Sequence, residues 1–133
     1  MPHVNILALI VATVASFLLG GLWYSPLLFA KAWIAASGTD VAAGKKKGPV
    51  YFFGTAILLA LVQVYTFAMF LGPGMETLHA ALYGFVAGLC WVSAGLWMTY
   101  VFEMRPAKLW LINGGYATVQ FTLIGLILGL LNK

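Results

Sequence analysis

Four stretches of this chain contain no Asp, Glu, Lys or Arg: residues 4–30, 49–75, 77–102 and 109–132. A helix rises about 1.5 Å per residue, so about 20 apolar residues cross a hydrocarbon core of about 30 Å. Each stretch is long enough to do so. In lipid the backbone must satisfy its own hydrogen bonds, which helices do within one segment. The alternating pattern of a transmembrane strand is absent. The soluble alternative fails on composition, because 63% of the 133 residues are hydrophobic and 8% charged, against about 25% charged in a soluble domain. The reading is an all-α polytopic membrane protein, one domain over residues 1–133. Its helices are expected at about 4–30, 49–72, 77–102 and 107–131, with a cytoplasmic loop at about 37–48.

A cleaved leader is disfavoured. Only His3 stands where a basic n-region would be, and the apolar run continues well past any cleavage site near Ala15. Lys31, Lys45, Lys46, Lys47, Arg105 and Lys108 fall in the loops after spans one and three, while Lys133 lies on the side of the termini. Positive charge near spans favours the cytoplasm. Both termini are therefore expected outside and both basic loops cytoplasmic, where they can meet anionic headgroups of the lipid bilayer. Topology and lipid account for the three adjacent lysines, so no nucleic-acid partner is expected. Cys90 is the single cysteine and reads as inert packing.

Residues 21–33, GLWYSPLLFAKAW, interrupt the first apolar run. Trp23 and Tyr24 read as an interfacial aromatic belt. Ser25 suits an N-cap and Pro26 the first position of a new helix, and Gly38 reads as a helix stop. Two descriptions remain open: a short amphipathic helix along the inner surface, or one long helix kinked at Pro26. Both place a bend at Ser25-Pro26. Thr39 to Gly48 reads as a polar loop, and Pro49 starts the second span.

Gly21-Leu22-Trp23 recurs as Gly95-Leu96-Trp97, and Val62-Gln63 as Val119-Gln120. The pattern implies two helical hairpins, spans 1–2 and 3–4, as parallel repeats about an axis along the membrane normal. Gln63 and Gln120 become equivalent mid-span amides. They either hydrogen-bond across a helix interface or line a polar pathway. Small residues recur every four positions at Ala8, Ala12, Ser16 and Gly20, at Ala80, Gly84 and Gly88, and at Thr118, Thr122, Gly125 and Gly129. Such faces let helix backbones approach closely. Gly84, Gly88, Gly125 and Gly129 are the candidate packing positions, within the bundle or against a second subunit.

Signs of chemistry are sparse. Glu76 and His79 form a Glu-x-x-His pair on the side of His3, a trio with metal-ligand chemistry. A carboxylate favoured by the start of a helix and an interfacial imidazole explain the pair without a metal. Asn113 to Tyr116, NGGY, points to close helix contact or a local kink. Glu103 with Arg105 reads as a local ion pair. No acid or base sits mid-membrane, which disfavours proton coupling, and no phosphate loop or zinc-protease motif is present. Neither a cofactor nor an enzymatic activity is expected.

The segments GLWYSPLLFAKAW, VFEMRP and LINGGY resemble the bacterial membrane family known as domain of unknown function 1761, over essentially the whole chain. The resemblance implies a small four-helix protein of the bacterial inner membrane and transfers no catalytic residue. It makes Trp23, Tyr24, Ser25, Pro26, Phe29, Trp33 and Asn113 the positions to test. Two functions are expected to compete. One is a non-enzymatic bundle acting by helix association, as a homo-oligomer or as an accessory subunit of a membrane complex. The other is an uncoupled channel or facilitator for a small solute, with Gln63 and Gln120 near its pathway.

Overall fold

A computed structural model describes residues 4–133. Among these residues every regular element is helical, and four helices are long and apolar enough to cross a membrane. The protein is a multi-pass membrane bundle. His3, one member of the candidate metal trio, lies outside the described residues.

The first span, α1 (Ile6–Trp23), starts at Asn5, whose side chain accepts a hydrogen bond from the Ala8 amide at 3.2 Å. It ends seven residues earlier than the 4–30 expected. Proline has no N–H, and its ring clashes with the carbonyl four residues back, here that of Leu22. The Leu22 carbonyl instead accepts the Ser25 amide at 3.1 Å and the Ser25 hydroxyl at 2.7 Å. The Ser25 side chain thus closes α1, and only its carbonyl reaches forward, accepting the Leu28 and Ala30 amides at 3.0 and 3.1 Å. The chain turns over residues 24–29 and resumes as α2 (Ala30–Ser37), entered through Phe29 with no side-chain cap and stopped by Gly38 at φ 71°. The polar loop expected at 37–48 contains a further helix, α3 (Val41–Lys47). Asp40 caps it by accepting from the Ala43 amide, and Lys45, Lys46 and Lys47 occupy its last turn, where the helix dipole favours cations.

The second span, α4 (Pro49–Leu71), has its proline in the first turn. The third runs through α5 (Thr77–Val86), a π-helical stretch (Ala87–Ser93) and α6 (Ala94–Phe102). Met104, at φ 60°, and Pro106 turn the chain into α7 (Ala107–Leu131), the fourth span. Asn132 gathers the end that carries the chain termini. Its carbonyl accepts the Gly74 amide and its side-chain oxygen the Asn5 amide, both at 2.8 Å. At the opposite, basic end Arg105 donates to the Ser37 carbonyl at 3.4 Å.

The central helix is α7. The third span packs along its length, α1 packs against both α7 and α4, and α4 touches α7 sparingly. A two-fold arrangement of hairpins would repeat the α1–α7 contact between α4 and the third span. Those two meet at an edge, where the rings of Phe70 and Trp91 lie 5.8 Å apart. The side of the bundle between α4 and the third span is therefore open.

The four candidate packing glycines lie at the contact of the third span with α7 in the same chain. A Cβ on Gly84 would overlap the Phe121 carbonyl oxygen, and one on Gly125 that of Ala80. On Gly88 it would come within 2.7 Å of the Thr118 Cα, and on Gly129 within 2.6 Å of the Thr77 Cα. Nothing larger than hydrogen fits at these positions while the helices stay at this spacing.

Candidate functional site

The motif residues converge at the basic end of α7. Trp23, the last residue of α1, donates its indole N–H to the Ile112 carbonyl at 2.9 Å. Tyr24 donates its phenol to the Asn113 side-chain oxygen at 2.6 Å. The Asn113 amide nitrogen donates in turn to the Tyr100 hydroxyl at 2.8 Å. One amide thereby joins the end of α1, the end of the third span and the start of α7. Tyr116, one turn along α7, donates to the Ser16 carbonyl at 3.0 Å.

The local sequence explains why these groups meet. The break at Pro26 frees residues 24–29 to cross over the start of α7. Phe29 packs on Trp23 with ring centroids 4.9 Å apart, and Tyr24 sits between Trp33 and Tyr116, each at 5.5 Å. Gly115 makes room for Trp23, since a Cβ there would lie 3.1 Å from the indole Cζ2. Burial, with the Tyr116 and Tyr100 phenols nearby, pushes the Tyr24 phenol above its ordinary range, so it stays a neutral donor.

A second set of bonds fastens α7 to the π-helical stretch. Ser93, buried, donates its hydroxyl to the Gly114 carbonyl at 2.7 Å, and the Trp110 indole donates to the Ser93 carbonyl at 2.7 Å. The Thr118 hydroxyl also donates to the Gly114 carbonyl, at 2.8 Å. A π turn shifts the carbonyl register by one residue, and here the Ser93 carbonyl finds an indole from another helix.

The structure thus brings Trp23, Tyr24, Phe29, Trp33 and Asn113 together. Ser25 and Pro26 shape the turn and make no bond to α7. Sequence reasoning missed Tyr100, Tyr116, Ser93 and Trp110. Tyr116 stood in the NGGY run, and Ser93 was a serine well inside a span, a signal that was available.

Gln63 and Gln120 do meet, further along the bundle. The Gln120 amide nitrogen donates to the Gln63 side-chain oxygen at 2.8 Å, and Gln120 is buried. At the end of the termini His79 Nδ1 lies 2.6 Å from Glu76 Oε2, both side chains exposed. Glu103 and Arg105 pair at 2.7 Å beside the basic end.

A family described as "Protein of unknown function (DUF1761)" matches residues 7–129, which take in every bond of this joint. The chain belongs to the DUF1761 family. No curated protein and no solved structure matches it significantly. Within the residues that match DUF1761, 21–33 and 111–116 are the two halves of one interhelical joint.

Proposed function

We propose that this DUF1761 protein is a non-enzymatic bundle of the bacterial cytoplasmic membrane that works by association with another transmembrane helix. Both termini would lie outside and both basic loops in the cytoplasm, as the placement of six of the seven Lys and Arg favours. The helix would come from a second copy or from a larger complex in which this chain is an accessory subunit. The observation that carries the reading is the open side between α4 and the third span. Three helix interfaces are closed by small residues or hydrogen bonds, and the fourth is bridged at an edge by Phe70 and Trp91. At that edge the Phe70 and Trp91 side chains are themselves exposed.

The channel reading has less support. Gln63 and Gln120 spend their amides on each other, which is what an interface pair does. An enzymatic reading has little as well, since the polar groups of the joint are bonded to one another or to backbone. The test is the native mass of the gently extracted protein, together with disulfide trapping through Cys90, which is exposed on the third span. A dimer trapped through Cys90 or a stoichiometric membrane partner supports association. A lone monomer in native-like lipid, with no trapped product, refutes it.

A further inference from the structure

A crevice of about 250 Å³ runs beside the joint, lined by Trp23, Leu89, Ser93, Trp110, Gly115 and Val119 among others. Its lining is almost entirely apolar, and its polar side-chain groups are spent on carbonyls: the Ser93 and Thr118 hydroxyls on that of Gly114, and the Trp23 and Trp110 indoles on those of Ile112 and Ser93. Its outer rim, Leu89, Leu111 and Val119, is exposed on the flank that faces lipid. From Trp110 to Val119 the crevice follows α7 for about 14 Å at 1.5 Å per residue. One leaflet of the hydrocarbon core is about 15 Å deep. It therefore starts at the basic edge and ends near mid-membrane, the path of one acyl chain.

Lys108 stands above its mouth. At 3.6 residues per turn Lys108, Gly115 and Val119 share one face of α7. Lys108 is exposed, and among the described residues no carboxylate lies within ion-pair distance of it. Arg105, one turn earlier, is held by Glu103. We propose that this crevice is a binding site for one anionic phospholipid, with an acyl chain on the glycine floor of α7 and the headgroup phosphate on Lys108. The site is on the opposite side of α7 from the open flank, and the inference does not rest on the association reading.

The test is native mass spectrometry of the full chain, titrated with phosphatidylglycerol or phosphatidylcholine carrying the same acyl chains. The wild type should retain one phosphatidylglycerol in preference to phosphatidylcholine. A single cation near the headgroup is worth about fivefold, so Lys108→Gln should bring the two lipids close to parity. Val119→Trp, which fills the crevice from its rim, should lower retention of both. Equal retention of the two lipids by the wild type overturns the proposal, as does a preference that Lys108→Gln leaves intact. Lys108 is a surface residue, so that arm decides even if Val119→Trp fails to fold.

Discussion

Gly84→Ala adds one methyl group where the structure has no room for it. The new Cβ would overlap the carbonyl oxygen of Phe121, a backbone atom of a helix hydrogen-bonded along its whole length. A side chain could swing aside, but this carbonyl cannot, so α5 and α7 must separate. Overpacking of this kind costs about 1–3 kcal/mol, occasionally more. Against it stands the helix propensity of alanine over glycine, about 1 kcal/mol in favour. The net loss is about 0–2 kcal/mol. Gly54→Ala is the control, since a Cβ there meets nothing within 4 Å. It should be neutral or stabilising by up to about 1 kcal/mol. The propensity gain is common to both, so the two variants should differ by about 1–3 kcal/mol in unfolding from mixed micelles, followed by circular dichroism at several protein concentrations. Because Phe121 belongs to the same chain, the loss should not depend on concentration. Equal stability of the two variants, or a loss that vanishes on dilution, would refute the assignment of Gly84 to intramolecular packing.

Asn113→Ala removes the acceptor of Tyr24 and the donor to Tyr100, and should cost about 1–3 kcal/mol in the same unfolding assay. Gln120→Leu strands Gln63 and should cost about 0.6–2 kcal/mol, whereas adding Gln63→Leu should recover most of it, and simple additivity in that cycle would contradict the pair. The raised Tyr24 pKa predicts stability that is flat below the unfolded value near pH 10 and falls above it, where the unfolded chain ionises and the folded one does not. Tyr24→Phe should shrink that alkaline fall, as read by unfolding between pH 9 and 11.

The number of spans was legible because lipid leaves a chain few options and charge-free length decides whether a helix can cross, while the first span stops at Trp23 and not at residue 30. The bend at residues 25–26 was legible for a local reason, the missing N–H of Pro26. What Ser25 does was not, because a serine before a proline suits either end of a helix, and only the Leu22 carbonyl decides between them. The helix at 41–47 was hidden by its glycine and three lysines, which read as loop until Asp40 is seen capping it. The joint was half legible. Its two segments stood out as unusual, yet no spacing rule links Tyr24 to Asn113 across 89 positions.

The same limit bears on the two-hairpin repeat expected from the sequence. Trp23 and Trp97 would be equivalent in such a repeat, and a two-fold axis would give them equivalent partners. Instead both lean on the start of α7. Trp23 bonds the Ile112 carbonyl, while Trp97 packs on Trp110 at 5.2 Å. A helix approached from two sides needs small residues on two faces. α7 has them: Gly114, Gly125 and Gly129 toward the third span, and Gly115 toward Trp23. Its counterpart α4 has one internal glycine, Gly54, and nothing packs on it. Glycine placement, more than the shared Trp and Gln positions, decides which helix becomes the centre. It also leaves α4 at the margin, beside the flank that the association reading assigns to another helix.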